Sequence, residues 1–386
     1  MNTACAFSRK ITVAVLALLL FACSPSPEKA GRTARTDNKR EFAVMAYYTG
    51  EPATLDAQSA SQLTHIIYSF FHLDGNRLNR PTPKDSAALA YLTSLRKDHP
   101  ELKIMFSLGG WGGCESCSDV FATEQGREEF AASVKALSEQ YQLDGIDLDW
   151  EYPTIEGFPG HRFAPQDRQN FTLLIQTLRK TLGKDYIISF AAGGFKKYLE
   201  QSVEWDEIMP LLDYVNLMSY DLVNGNSAVT GHHTPLFSTS GQVESIGNAV
   251  QYLDSVGVPA EKIVVGSAFY ARVWEAVQDQ QHGLYQIGAF KEAVPYNNLS
   301  QYFTDNPGFS HYWDSTAQAP YSYNLEKQLF ATYDDSLSIA KKTTYALQQH
   351  LGGIMFWQFS GDDREEGLLD VIDRVKKQTA NDQAKP

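Results

Sequence analysis

The stretch "DGIDLDWEYP", Asp144–Pro153, alternates acidic with apolar side chains: Asp144, Asp147, Asp149 and Glu151 are interleaved with Ile146, Leu148 and Trp150. Acidic residues normally face solvent and apolar ones the core. In a β-strand, residues two apart share a face. A strand over residues 145–152 therefore turns Asp147, Asp149 and Glu151 one way and Leu148, Trp150 and Tyr152 the other. The apolar set belongs against a layer of helices, which leaves the three carboxyls pointing into an interior. A parallel barrel provides such an interior.

The rest of the chain agrees. Runs rich in β-branched and aromatic residues recur at 41–48, 64–71, 103–110, 145–152, 186–192, 214–220, 262–270 and 352–360. Helix-period segments lie between most of them, at 85–99, 127–142, 167–182, 242–257 and 335–351. Strand–helix alternation predicts a parallel sheet. Eight such units closing on themselves make an α/β fold, the (β/α)₈ TIM barrel, which needs about 250 residues plus insertions. The rhythm breaks once, over residues 275–334, which are rich in Tyr, Gln, Asn and Pro. That interval is too long for a bare loop. It is expected to form a small α+β insertion between strand 7 and helix 7, a wall beside the C-terminal face of the barrel. The barrel domain is expected over residues 41–376, with a tail at 377–386.

Barrel enzymes keep their chemistry at the C-terminal mouth of the strands, and Glu151 is the last acid of the row. Carboxyls stacked at about 6–7 Å intervals cannot all ionise comfortably. Burial and like charge raise some of their pKa values, and a proton is shared along the row. A carboxyl held protonated near neutral pH suits a general acid. Glu151 is the expected acid, Asp149 its partner, and Asp147 the deeper residue that holds Asp149. Asp144 precedes the strand and fixes a loop or helix end. A calcium site would need converging loop oxygens rather than a strand with apolar neighbours. The "GGWGG" run lacks the Lys-Ser/Thr of a phosphate loop.

"DGIDLDWEYP" resembles the D-G-x-D-x-D-x-E motif of the chitinases of glycoside hydrolase family 18, matching at all four acidic positions. "SLGGW" (107–111), "LMSYD" (217–221), "AFYARVW" (268–274) and "GGIMFWQFSGDD" (352–363) resemble further motifs of that family, and the resemblance covers about residues 41–375. It implies a retaining, substrate-assisted hydrolysis of β-1,4-linked N-acetylglucosamine, with no carboxylate nucleophile. By matched position, Glu151 is implied as acid and base, with Asp149, Asp147 and Tyr220 as its catalytic partners. Trp357, Asp221 and Arg272 are implied around the −1 sugar, and Tyr47, Ser107, Trp111, Tyr152 and Met218 complete the implied substrate-binding set, Tyr47 and Ser107 at positions that support the Asp147–Asp149 pair. Core packing remains open for Tyr47 and Trp357, and a structural ion pair for Arg272. Ala271 stands where Gly is common and would narrow the site. The insertion resembles the family's cleft-deepening subdomain but is short. Two other functions fit parts of the pattern: an endo-β-N-acetylglucosaminidase acting on N-glycans, and a chitin-binding lectin, from which the acid is usually lost.

A net charge of −13 argues against nucleic acid or anionic lipid as the main partner. The expected partner is chitin or chito-oligosaccharide, with the chain a monomer. No cofactor and no metal are expected. Arg9 and Lys10 precede the apolar run Ile11–Ala22, which is short for a bilayer span and reads as a secretory signal over residues 1–22. It ends at Cys23, resembling a bacterial lipoprotein signal whose Cys is lipidated; Ser24 follows rather than Asp. The expected location is the cell envelope, at the outer membrane or in the periplasm, with an extracellular location as the alternative and membrane contact only through that anchor. Residues 24–40 are polar and read as a flexible tether. Cys114 and Cys117, in "CESC", have no second pair for a zinc site. The secreted context favours a local disulfide, with free thiols or a redox pair as alternatives. His232 and His233 are expected to be loop or cleft residues rather than metal ligands.

Overall fold

A computed structural model describes residues 41–50 and 55–383; the signal segment, Cys23 and the tether lie outside them. Eight strands form the barrel: β1 (Ala43–Tyr48), β2 (His65–Phe71), β3 (Lys103–Gly109), β4 (Gly145–Asp149), β5 (Ile187–Gly193), β6 (Tyr214–Met218), β7 (Ile263–Ala268) and β8 (Gly353–Trp357). Each pairs in parallel with its neighbours in sequence, and β1 pairs with β8 to close the cylinder. The period-2 pattern sorts side chains as anticipated. Met45, Tyr47, Ile67, Met105, Tyr214 and Met355 fill the lumen. Val44, Ala46, Tyr48, Ile146 and Leu148 face the helices.

Strand β4 ends at Asp149, three residues short of the expected end. Its ladder partners stop there: Gly109 of β3 pairs with Asp149, and Phe190 of β5 with Leu148. Trp150, Glu151 and Tyr152 therefore lie on the segment that leaves the strand at the mouth.

Helix boundaries follow local chemistry. Thr82 and Asp85 form a reciprocal capping box at the start of Pro83–Ser94, and Asp335 and Ser338 do the same for Ser336–Gln348. Thr123 caps Glu124–Tyr141, and Gly183, at φ +84°, ends Asp167–Leu182. Between β5 and β6 two short helices, Lys196–Gln201 and Trp205–Ile208, stand in place of one long helix. The last helix runs through Leu368–Gln383, so the segment expected as a tail from 377 is helical as far as Gln383.

The insertion is a five-stranded antiparallel sheet in the order Ala289–Pro295, Tyr270–Glu275, Leu329–Thr332, Ala319–Asn324, Phe309–Asp314, with one helix, Tyr296–Asp305. Its first strand begins at Tyr270, directly after β7 and before the expected boundary at 275. It carries its own apolar clusters, one around Ala271, Val273, Val294 and Ala331, the other around Trp274, Tyr321, Tyr323 and Phe330. Ala271 belongs to the first of these, so it packs inside the insertion and does not narrow the cleft.

Where the insertion returns to the barrel, Asp334 and Lys342 are both fully buried. Lys342 Nζ donates to Asp334 Oδ2 at 2.7 Å and to Thr234 Oγ1 at 2.6 Å, while Asp334 also accepts from Ala268 N at 3.1 Å and Ser338 Oγ at 2.7 Å. Removing one partner strands the other charge without solvent. Lys342→Ala is expected to lower unfolding free energy by about 3–5 kcal/mol in urea titration; a loss below about 1 kcal/mol would contradict the role given to this pair.

Candidate active site

The row is built from its deepest member upward. Asp147 is fully buried and sits at the centre of four strands. Tyr47 Oη of β1 and Ser107 Oγ of β3 donate to its Oδ2 at 2.9 and 3.0 Å; Ser189 Oγ of β5 and Asn216 Nδ2 of β6 donate to Oδ1 at 2.7 and 3.0 Å. Register makes this possible, since Ser107 and Ser189 are the ladder partners of Asp147 on either side. Burial still raises the Asp147 carboxyl, against the pull of all four bonds. Tyr47 and Ser107, implied as supports of the Asp147–Asp149 pair, are buried and donate their hydroxyls to Asp147, so neither is free to bind substrate through its hydroxyl. Ser189 and Asn216 were not anticipated. Both are lone polar residues at lumen positions of otherwise apolar strands, a signal readable in the alternation.

Asp149 is buried, and among the described residues its Oδ1 has no hydrogen-bond partner. Burial, then the charges of Glu151 and Asp147, push its pKa well up. Glu151 is half-buried at the mouth. Burial and the Asp221 charge raise it to about 7, opposed by the Tyr152 hydroxyl beside it. Tyr152 does not follow Leu148 and Trp150 to the helix side. Its ring touches both the lumen and the helix-layer clusters and packs against Phe195, Tyr198 and Trp111. Trp150 does go outward, against Phe121 and Phe171. Tyr220, just beyond β6, lies near all three acids and Asp221, and burial and those charges raise its phenol well above its ordinary value.

Two glycines let β3 approach this row. A Cβ on Gly109 would meet Asp149 O at 2.2 Å, and one on Gly110 would meet the Phe70 ring at 2.6 Å; both have positive φ. Phe70 in turn stacks on Trp357 at 5.4 Å with planes 19° apart, and Tyr47 tilts against that indole at 5.8 Å. Trp357 is thus a half-buried platform at the end of β8, braced by Phe70. Trp111, half exposed on the loop after β3, packs against Phe158. Cys114 and Cys117 are joined in a disulfide in that loop.

On the opposite side Arg272 grips Asp221 with Nε at 2.8 Å and Nη2 at 2.5 Å, and lies over the rings of Tyr270 and Phe290. Burial pushes the Asp221 carboxyl up, but the contacts with His233 and Arg272 outweigh it and hold the group below the usual carboxylate range. Met218 closes the lumen beneath. Asp144 lies at the other end of β4, accepting from Ile104 N at 2.7 Å and pairing with Arg96; it ties the barrel floor. His232 and His233, expected in a loop or the cleft, are fully buried between the barrel and the inserted sheet.

Residues 43–362 match the family described as glycosyl hydrolases family 18. The chain belongs to that family. Chitinase A1 of Niallia circulans is 35% identical over 296 residues, covering 70% of this chain and 42% of that protein. Chitinase B of Serratia marcescens is 31% identical over 385 residues, covering 82% of this chain and 76% of that protein. The chain thus spans under half of the first relative and about three quarters of the second. Among solved structures, a family 18 N-acetylglucosaminidase from Paenibacillus barengoltzii superposes with a TM-score of 0.79 at 35% identity, over 87% of this chain and 100% of that one.

The electrostatics of Glu151 have a stability consequence. Its folded pKa of about 7 exceeds the ordinary 4.5, so between those values the folded state holds more protons than the unfolded one. Its contribution is fully present below the ordinary value and lost as pH rises through 7. Glu151→Gln, neutral at every pH, is expected to raise the thermal midpoint at pH 8 and to leave it unchanged near pH 4. An equal shift at both pH values would show that Glu151 is not held protonated by its surroundings.

Proposed function

We propose that the chain hydrolyses β-1,4-linked N-acetylglucosamine chains, as a chitinase with retention of anomeric configuration. The observation that carries this reading is the inward row of Asp147, Asp149 and Glu151, with the outermost carboxyl raised to about 7 at the cleft mouth. In the proposed reaction Glu151 gives its proton to the glycosidic oxygen as the C1–O bond breaks. The carbonyl oxygen of the substrate's own 2-acetamido group forms the new bond to C1. Asp149, whose free Oδ1 faces no protein donor, takes the acetamido N–H, and Tyr220 holds the acetamido oxygen. Glu151 then accepts a proton from the water that reopens the oxazolinium ion, which places the new hydroxyl on the original face. Trp357 carries the apolar face of the −1 sugar, and Asp221 and Arg272 hold its polar edge. The chemistry demands an N-acetyl group at −1.

The match to the P. barengoltzii N-acetylglucosaminidase over that whole chain supports a second reading, in which single sugars are released from chain ends. Product profiles from chitotetraose to chitohexaose, with anomer detection, separate the two; a glycoprotein substrate tests the N-glycan alternative. Lipidation of Cys23 is proposed to hold the enzyme at the cell envelope, and membrane release on Cys23→Ser tests it.

Glu151→Gln is expected to abolish hydrolysis of a chromogenic chitobioside while leaving oligosaccharide binding within about tenfold. An α-anomer as the first product would defeat the retaining mechanism. The profile of kcat/KM is expected to fall on a basic limb near pH 7 as Glu151 loses its proton. Because the Asp221 charge helps raise Glu151, Asp221→Asn is expected to move that limb to lower pH.

A further inference from the structure

The sequence draws attention to His232 and His233, and the reaction above uses neither. Both rings are fully buried. They lie on the segment that threads between the barrel mouth and the inserted sheet: Leu222 N donates to His233 O at 3.0 Å, His233 N donates to Thr332 Oγ1 at 3.2 Å, and Thr234 Oγ1 donates to Ser219 O at 3.0 Å. The two imidazoles have different neighbours. His232 Nε2 meets Asp314 Oδ2 of the inserted sheet at 3.1 Å. His233 Nδ1 points at Asp221 Oδ1 from 3.6 Å, on the carboxylate that Arg272 clasps, and among the described residues neither ring nitrogen has a partner within hydrogen-bond distance. A buried imidazole without partners is costly, and this one is aimed at the residue that borders the substrate.

We infer that His233 is a positioning residue for the proposed reaction: its Nδ1–H fixes the Asp221 carboxylate from behind while Arg272 fixes it from the side, so that Asp221 faces the −1 sugar and Glu151 in one orientation. The inference rests on the functional reading above. Among the described residues, four charged or titratable groups face the ring. Asp221 faces the ring from the end of β6. Arg272 and Tyr270 face it from the first inserted strand, with the Tyr270 ring 5.3 Å away. Asp334, neutralised by Lys342, reaches it from the start of Ser336–Gln348. Burial lowers the imidazole pKa against the pull of Asp221 and Asp334, so the ring stays neutral and able to donate through Nδ1 over the neutral range. His232, by contrast, anchors the insertion and touches nothing at the site.

The test compares His233→Ala, His233→Asn and His232→Ala with the parent enzyme on a chromogenic chitobioside. Asn places an amide N–H near the Nδ1 position. His233→Ala is expected to lower kcat by about 10- to 100-fold with little change in KM, and His233→Asn to recover activity to within about threefold of the parent. His232→Ala is expected to lower the thermal midpoint while leaving kcat unchanged. In an Asp221→Asn background the effect of His233→Ala on kcat should vanish. A second arm does not depend on turnover: ¹⁵N NMR of the histidine rings is expected to show His233 neutral and Nδ1-protonated at neutral pH, with its tautomer altered in Asp221→Asn. Equal losses in the Ala and Asn variants, an undiminished loss in the Asp221→Asn background, or a His233 tautomer indifferent to Asp221 would each overturn the assignment. A parent enzyme inactive on every N-acetylglucosamine oligomer would instead remove the functional reading, and the NMR arm would still decide the contact.

Discussion

The active site depends on the burial of Asp147. A carboxylate removed from water costs several kcal/mol, and a charge-assisted hydrogen bond returns about 1.5–3 kcal/mol. Only several such bonds at once make the burial tolerable, and four are supplied, by Tyr47, Ser107, Ser189 and Asn216. Those donors come from β1, β3, β5 and β6, so no local segment could assemble them. They meet only if the barrel closes in the observed register. A slip of one residue in any of these strands would turn its donor toward the helices and leave a buried acid with an unpaired oxygen. The catalytic row thus acts as a register lock as well as a chemical device.

The proton held in the row follows from the same geometry. Asp147 has its lone pairs filled, whereas Asp149, one step up the strand, receives no protein bond at Oδ1. The stack is therefore satisfied at the bottom and under-satisfied towards the mouth. A polar group brought by the substrate at that level would replace missing bonds rather than compete with existing ones, which directs binding energy to the reacting end of the sugar. Glu151 is partly open to solvent and tuned by the fixed negative charge of Asp221, which Arg272 keeps ionised. One anion stays charged so that its neighbour stays protonated, the pairing expected when two carboxyls take different roles.

The barrel was legible because its signal is local and repeated. The runs behind β1 to β8 are short apolar stretches, as strands buried on both faces require, and in β4 the alternation of acidic and apolar residues gives the inward direction of Asp147 and Asp149. The failures are tertiary. Strand β4 stops at Asp149 because its neighbours stop, which nothing within 145–152 announces, and so Tyr152 escapes the face its parity assigned. Tyr47 and Ser107 support Asp147 as the resemblance implied, but Ser189 and Asn216 were missed, because which lumen side chains reach a buried acid depends on depth along the strand, which one-dimensional alternation does not encode. Phe70 lies in an aromatic run, "YSFF", where composition cannot single out the ring that braces Trp357. The histidine pair was visible as a pair, yet its burial arises only when the inserted sheet lands on it.

That landing explains why a short insertion can matter to chemistry it barely touches. Arg272 and Tyr270 sit on the first inserted strand, only a few residues beyond β7, so they are part of the barrel mouth and of the insertion at once. The sheet returns through Thr332 and Asp334, and the bonds made there go to His233 N, Ala268 N and Lys342. Asp221 is therefore clasped by the outgoing strand and backed by a residue that the returning strand holds. Arg272 and Thr332 are ladder partners in the sheet, and Thr332 accepts from His233 N, so both groups beside the carboxylate are tied to the same pair of strands. Packing of the insertion thereby sets the orientation of the anion that tunes Glu151, and apolar contacts among Trp274, Tyr321 and Phe330, remote from the sugar, become part of the acid–base design.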